Sequence, residues 1–381
     1  ATVTAYLGYR PFDGEGTVMG LAAYGEDRFR DFFDYLVTAE GPRFRVLPEC
    51  SFNELVDPLC RGVEAPLVKR FGPPREFRPD PRDGTDEHIA ASLQAVVERS
   101  VARLVEHHIA ETGVRRLCLA GGVALNSKMN GQLCKRLELE DIYAFPVAGD
   151  AGCAIGSAIW CARQLGEKRI EPIWTIYRGP EYTSEQIEEA LRDYPVRVEK
   201  PDSIAEAAAE LLGRHEIVGW FQGRMEGGPR ALGSRSILSN PTRTANKDNV
   251  NNRVKFREPW RPFAPSILHD RARDYTGCGL HAPFMTVTFD VPPDARRRIP
   301  AAMHVDDTIR VQTVKPADNP LYHELITIFH RRTGVPVVTN TSFNRKGEPI
   351  VDTPKDALEM FMATAMDALA IGPYLVTRKP E

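Results

Sequence analysis

The chain has 381 residues, a formal net charge of −3, 42% hydrophobic and 27% charged residues, which excludes a disordered or fibrous chain and leaves room for two domains with separate cores. That charge gives no global pull toward nucleic acid or a membrane surface, so any basic site must be local. Seven scattered cysteines (Cys50, Cys60, Cys118, Cys134, Cys153, Cys161 and Cys278) include no C-x-x-C pair, which excludes a disulfide framework and a zinc cluster and predicts buried thiols in a reducing compartment.

No apolar run approaches the roughly 20 residues that span a bilayer, and "ATVTAYLGYR" has no basic signal region, so a cytoplasmic protein without a membrane partner is expected. A chain starting with Ala reads as a fragment, a processed chain or an excised region. The first 80 residues are rich in turns ("FDGEG", "GPRF", "FGPPREFRPDPRDG"), which predicts short elements joined by loops. From Asp86 to Thr112 the apolar residues Ile89, Leu93, Val96, Val97, Leu104, Val105 and Ile109 recur near a 3.6-residue period behind the cap candidate Thr85, predicting a long amphipathic helix.

Next, "RRLCLAGGVALNSKMNGQL" reads as a strand over Leu117–Ala120, a glycine turn and a helix from Leu125, the order in which α/β proteins build phosphate sites. A strand "DIYAFPV" leads to Asp150 and a helix lined with small residues. Periodicity breaks over Lys168–Pro180, where the domain boundary is expected. Thr183 with Gln186, and Ser203 with Glu206, stand at capping-box spacing ahead of two helices. "EIVGWFQG" and "GVPVVTNTSFN" read as strands, and "TPKDALEMFMAT" as a helix with Thr353 as cap and Pro354 in the first turn.

The stretch from Arg224 to Arg261 holds nine basic and three acidic residues, a net +6. Such runs are usually solvated faces, but glycine, proline and aromatic residues interleave closely here ("QGRMEGGPRALGSRSIL", "FREPWRPFAP"). That pattern favours an anion pocket: arginine grips planar anions, and glycine lets backbone approach them. Phe256, Trp260 and Phe263 between the basic residues admit a nucleic-acid surface as the rival, which the acidic overall charge disfavours. Asn340, Thr341, Ser342 and Asn344 of "TNTSFN" either orient an amide-like or nucleotide ligand or cap a turn. Asp150 is a metal ligand or an N-cap. His107 and His108 are adjacent, which on a helix points them about 100° apart, away from joint ligation.

Together, "EGTVMGLAAYG", "LAGGVALNSKMNG", "PVAGDAGCAIGSA", "QGRMEGGPRALGSRSIL", "VKFREPWRPFAPSIL" and "VTNTSFNRKGEPIV" resemble the O-carbamoyltransferases of antibiotic and nodulation-factor biosynthesis, across nearly the whole chain. The resemblance implies an α/β protein: residues 1–172 as the second half of an actin-like (ASKHA) ATPase domain similar to TsaD, and 173–381 as a YrdC-like domain with a twisted mixed sheet. It implies that the YrdC-like part makes carbamoyl-adenylate from ATP and carbamoyl phosphate, and that the actin-like part passes the carbamoyl group to a hydroxyl of a small-molecule natural product, with no nucleic-acid partner.

By motif match, Arg230, Lys255, Arg261 and Arg310 would hold phosphate and carbamoyl oxygens, and Asn340, Ser342 and Asn344 would complete that pocket. Gly121, Gly122 and Asn126 match the family's ATP turn, and Asp150 its ligand to a divalent metal, iron or Mg²⁺. The strand-like "EGTVMGLAAYG" carries Thr17 where relatives usually have lysine, and no H-x-x-x-H metal pair occurs. The final transfer would therefore need an N-terminal actin-like half supplied upstream or by another chain; a homodimer is left open. A tRNA threonylcarbamoyl-type enzyme and a non-catalytic nucleotide-binding scaffold are the alternatives.

Overall fold

The computed structural model describes residues 1–46, 61–78, 84–258 and 260–379. Cys50 and Cys60 lie outside them. The chain divides into two compact units, Ala1–Leu117 with Lys128–Tyr143, and Cys118–Ser127 with Ala144–Glu381. Among the described residues no helix is long and apolar enough to cross a membrane.

The first unit is organised by the helix Thr85–Thr112, which buries Ile89, Ala90, Val96 and Val105. It ends where Gly113 adopts φ +70° and its N–H bonds the carbonyl of Ile109, a left-handed stop that glycine accepts without strain. Its first turn buries Asp86, whose carboxylate takes hydrogen bonds from Arg75 (2.9 Å) and Arg78. "EGTVMGLAAYG" forms a helix, Glu15–Leu21, and a 3₁₀ turn, not a strand. Val18, Leu21 and Ala22 lie three and four apart and are buried, so helical periodicity outweighs the short β-branched pair Thr17–Val18. Close by, Gly25 passes so near the long helix that a Cβ there would meet the carbonyl of Glu87 at 2.0 Å. Two short strands, β1 (Val37–Glu40) and β2 (Arg43–Val46), form a hairpin. At the points where the chain passes from one unit to the other, β3 (Arg116–Leu119) and β4 (Asp141–Ala144) form a second two-stranded sheet.

The second unit contains β5 (Val196–Glu199), β6 (Val218–Phe221), β7 (Arg235–Ser239), β8 (Ala264–Leu268), β9 (Thr288–Asp290), β10 (Thr308–Arg310), β11 (Gln312–Val314), β12 (Val337–Ser342), β13 (Ala368–Ile371) and β14 (Tyr374–Arg378). Eight of them form one mixed sheet in the order β11-β8-β12-β7-β6-β13-β14-β5, and β9 pairs with β10 separately. Within the large sheet only the β6–β13 and β8–β11 pairs are parallel. Alternating side chains divide between two cores. Val218, Trp220, Leu238 and Ala370 pack with residues of the helices Ile204–Gly213 and Pro320–Thr333. Phe221, Ile237, Leu369 and Ile371 pack with Ile187 and with Leu358 and Phe361 of the helix Pro354–Ala363. With both faces covered, β6, β7, β8 and β13 are buried throughout.

Local signals set the helix starts. Thr183 and Gln186 form the reciprocal capping box, as do Thr353 and Asp356 ahead of Pro354, while Ser203 accepts from Glu206 N. One expectation is corrected. Cys118, Cys153 and Cys161 are exposed, and Cys134 and Cys278 are half-buried. The exposed three lie on β3 and on the helix Gly152–Gln164, none of whose residues is buried.

Gly233 ties the second unit together. It has φ +101°, and a Cβ there would stand 2.2 Å from the ring of buried Tyr322. Gly233→Ala should lower stability by about 2–5 kcal/mol through strain and overpacking, whereas Gly213→Ala, whose Cβ meets nothing within 4 Å, should change it by less than about 1 kcal/mol. Urea unfolding of both variants checks the contrast.

Candidate anion-binding site

The arginine-rich loop runs from Gln222 to Ser234 between β6 and β7 and is held from inside by two buried charges. Glu226 Oε1 accepts the backbone N–H groups of Leu232 (2.5 Å), Ser234 (3.2 Å) and Arg235 (3.3 Å). Arg235, fully buried, donates to the carbonyls of Gln222, Gly223, Ser234 and Pro180, and its guanidinium carbon lies 3.7 Å from the centroid of the Phe221 ring. Gly228, at φ +99°, passes where a Cβ would meet the Pro146 carbonyl at 2.6 Å. Arg224 is exposed and donates to Arg178 O. The three arginines of the loop thus have different tasks. Arg235 holds the loop, Arg224 lies outside, and half-buried Arg230 makes no hydrogen bond or ion pair with the described residues.

A second segment meets it. The helix Thr244–Val250 passes into a π-turn, Asn251–Lys255, and Phe256 at φ +45° then turns the chain. Lys255 is buried and its Nζ has four oxygens within reach: Ser342 O (2.9 Å), Ser342 Oγ (3.3 Å), Asn344 O (2.7 Å) and Asn344 Oδ1 (2.6 Å). An ammonium has three protons, so its donors are fully engaged. Arg257 donates from Nε to Asn251 Oδ1 and from a terminal nitrogen to Pro262 O, and lies over the Phe263 ring. Arg261 stands 3.6 Å from Glu258, whose other oxygen is bound by Lys346 at 2.8 Å.

Arg310 ends β10. It is half-buried, and among the described residues it makes no side-chain hydrogen bond and its buried Nε has no partner.

These cations depress one another. Burial, then Arg261, lowers the Arg230 guanidinium to about 10. Burial, then Arg230, Arg257 and Arg261, hold Arg310 well below its usual value. Arg257 is lowered by burial and Arg261 against the pull of Glu258, and Lys255 by burial, Arg257 and Arg261 against that of Glu348. A group loses affinity for its proton when it is desolvated beside like charges. Arg230, Lys255, Arg257 and Arg310 therefore lie within electrostatic reach of Arg261, and the arrangement favours any anion that enters, a multiply charged phosphate above all.

The structure thus brings together Arg230, Lys255, Arg261 and Arg310, and joins Ser342 and Asn344 to Lys255. Asn340 is buried. Its Nδ2 has three acceptors within reach, Ala231 O, Ser266 Oγ and Gln312 Oε1, and among the described residues its Oδ1 has no partner, so it braces the backbone beside Arg230. The sequence alone places Arg257 among the nine basic residues and Glu226 among the three acidic residues of this stretch, and assigns neither to the site. The pattern "VKFRE", with Lys255 and Arg257 two apart, was the available signal for Arg257; nothing local announced Glu226.

The ATP-turn residues stand on another element. Gly121 (φ +90°) and Gly122 follow β3, the N–H of Gly121 bonds Ala148 O, and a Cβ at either would meet nothing within 4 Å. Asn126 is half-buried, ahead of the helix Ser127–Leu137. Asp150 is exposed and belongs to no group of three metal-type ligands among the described residues. The residues present do not fit a complete metal site there, since metal ligation needs several convergent donors. His107, His108 and Glu111 do bring ligand atoms within 4.8 Å of one another. The Glu111 carboxylate bridges the angle between the two rings, at 3.2 and 3.4 Å, which corrects the expectation from adjacency alone.

Fold and site define a mixed α/β protein with a cluster of five cations, of which Arg261 alone has a carboxylate within ion-pair distance among the described residues. Residues 1–159 match the family described as carbamoyltransferase N-terminus, and residues 209–378 that described as carbamoyltransferase C-terminus. The nodulation protein NolO of Bradyrhizobium diazoefficiens is 40% identical over 384 residues, covering 98% of this chain and 67% of that protein. NolNO of Sinorhizobium fredii is 40% identical over 386 residues, covering 98% of this chain and 54% of its own length. The chain belongs to the carbamoyltransferase family. It spans between about half and two thirds of the length of these two relatives. Among solved structures, a HypF in phosphate- and nucleotide-bound form covers 44% of this chain and 25% of its own, at 15% identity and a TM-score of 0.29, too slight a likeness to build on.

In anion-free buffer Arg310→Met should leave stability unchanged or raise it by about 0–2 kcal/mol, because an unpaired desolvated charge is removed. Glu226→Ala, which strips the acceptor from three buried N–H groups, should lower it by about 2–4 kcal/mol. Adding phosphate should raise the melting temperature of the wild type more than that of Arg310→Met. Differential scanning fluorimetry with and without phosphate measures both effects.

Proposed function

We propose that this chain is the carbamoyl-activating part of an O-carbamoyltransferase, with residues 173–381 as a YrdC-like domain and residues 1–172 as the second half of an actin-like one. The overall activation is carbamoyl phosphate + ATP + water → carbamoyl-adenylate + pyrophosphate + phosphate. The observation that carries the reading is the set of arginines around Arg261, two of which, Arg230 and Arg310, have no protein partner among the described residues. Substrates and products here are all polyanions, and phosphoryl chemistry is catalysed chiefly by fixed positive charge.

In this scheme Arg230, Arg261 and Arg310 take phosphate oxygens, and Arg257, already aligned by Asn251 and Pro262, meets the guest without first being ordered. Lys255, with its ammonium on the Ser342–Asn344 turn, positions that turn and lends its charge to the hollow. Asn340, with an unengaged carbonyl oxygen, could accept from a carbamoyl NH₂.

The later transfer to a natural-product hydroxyl is assigned to a larger assembly. The greater length of the relatives and the uncovered apolar residues Trp160 (67% exposed) and Leu165 (89% exposed) on and just after the helix Gly152–Gln164 support this. Gly121, Gly122 and Asn126 would hold nucleotide there. Asp150 alone does not make a metal centre, and no step is routed through one.

Exchange of labelled pyrophosphate into ATP should depend on carbamoyl phosphate and not on threonine. Arg261→Ala and Arg310→Ala should each reduce it by about 100-fold or more. Threonine-dependent exchange would instead indicate a tRNA-modifying enzyme, and no exchange a scaffold.

A further inference from the structure

Among the described residues beside the cation cluster, Phe256 has a conformation that neither packing nor backbone preference explains. Its φ of +45° lies in the left-handed region, which is strained for a bulky side chain. The strain is not offset by burial, since the residue is 57% exposed. Nor do recorded contacts claim the ring: among the described residues the Arg257 guanidinium lies on Phe263, and no ring or cation packs on Phe256. If the chain needed only to reverse between Lys255 and Arg257, glycine or asparagine would do so with less strain. The bend also follows a π-turn, Asn251–Lys255, an irregularity often found at functional sites. Strained backbone that presents an uncovered group next to a binding site is a sign of ligand contact.

We infer that Phe256 is a stacking platform for the nucleobase of a nucleoside triphosphate whose phosphates enter the cationic hollow. The inference rests on the proposed activation reaction and adds to it the place where the base is read. Adjacency in sequence sets the reach: Lys255 and Arg257 belong to the cation cluster, and a base lies a few ångströms beyond the α-phosphate of its nucleotide. A flat aromatic face accepts any base, with purines stacking best, so the site is assigned to purine nucleotides by surface area and without base-edge readout.

The test compares ATP with inorganic tripolyphosphate, which carries the phosphates without base or ribose, by calorimetric titration of the whole chain. Wild type should bind ATP at least about tenfold more tightly than tripolyphosphate, in the range of one base–aromatic stack. Phe256→Gly, which accepts the same φ, should keep its tripolyphosphate affinity within about threefold and lose most of the ATP preference, and Phe256→Trp should retain that preference. The inference is overturned if Phe256→Gly keeps the wild-type ratio, if wild type shows no preference for ATP, or if Phe256→Gly weakens both ligands equally, which would make the residue a turn that sets the cations. Failure of wild type to bind tripolyphosphate at all would be a different result, overturning the anion hollow and the activation reaction with it.

Discussion

Like charges brought together out of water repel, and the second unit is arranged to withstand that repulsion. Arg230, Arg257, Arg261, Arg310 and Lys255 come from the β6–β7 loop, the π-turn and the segment after it, and the end of β10, so no local preference assembles them. The packed second unit does so: the β6–β7 loop is carried by the eight-stranded sheet with its two covered faces, and β10, paired with β9 outside it, runs on through Val311 into its edge strand β11. The free energy of hydrophobic burial in that sheet holds the cations in place, and an entering anion relieves the repulsion. The unpaired charges therefore count against stability at this site.

Inside the loop, charge is used differently. Glu226 and Arg235 are buried, and both act on backbone: one accepts three N–H groups, the other donates to four carbonyls. Their burial is offset only in part: Glu226 Oε1 and the two terminal nitrogens of Arg235 are engaged, while Glu226 Oε2 and Arg235 Nε have no partner among the described residues. They turn a glycine-rich segment, which alone would have many conformations, into a rigid support for Arg230. Lys255 does the same for the end of β12. A cationic residue next to a binding hollow thus either faces the guest or holds the wall, and only the hydrogen-bond partners tell the two apart.

The family relationship covers both units, whereas the cationic site lies within the second. The helix Gly152–Gln164 is apolar in composition, and among the described residues none of its side chains is buried.

Much of the local structure was legible because the responsible forces act over a few residues. The period of Ile89, Val96 and Val105, the capping boxes at Thr183 and Thr353, and the apolar run of β6 each specify an element nearly by themselves. β8 was not legible, since Pro265 usually marks a chain that has left the sheet, and "EGTVMGLAAYG" was misread because a short apolar run has no decisive period. The sequence by itself determined that arginines, glycines and aromatics would crowd one segment, and which family the motifs resemble. Only the tertiary structure decided that Arg235 points inward while Arg230 stays free, that Lys255 is bound to the turn after β12, and that Arg257 and Arg310 complete the hollow. The physical reason is that charge–charge and hydrogen-bond partners separated by up to 89 residues, as Lys255 and Asn344 are, leave no trace in local periodicity; they exist only once the sheet has closed.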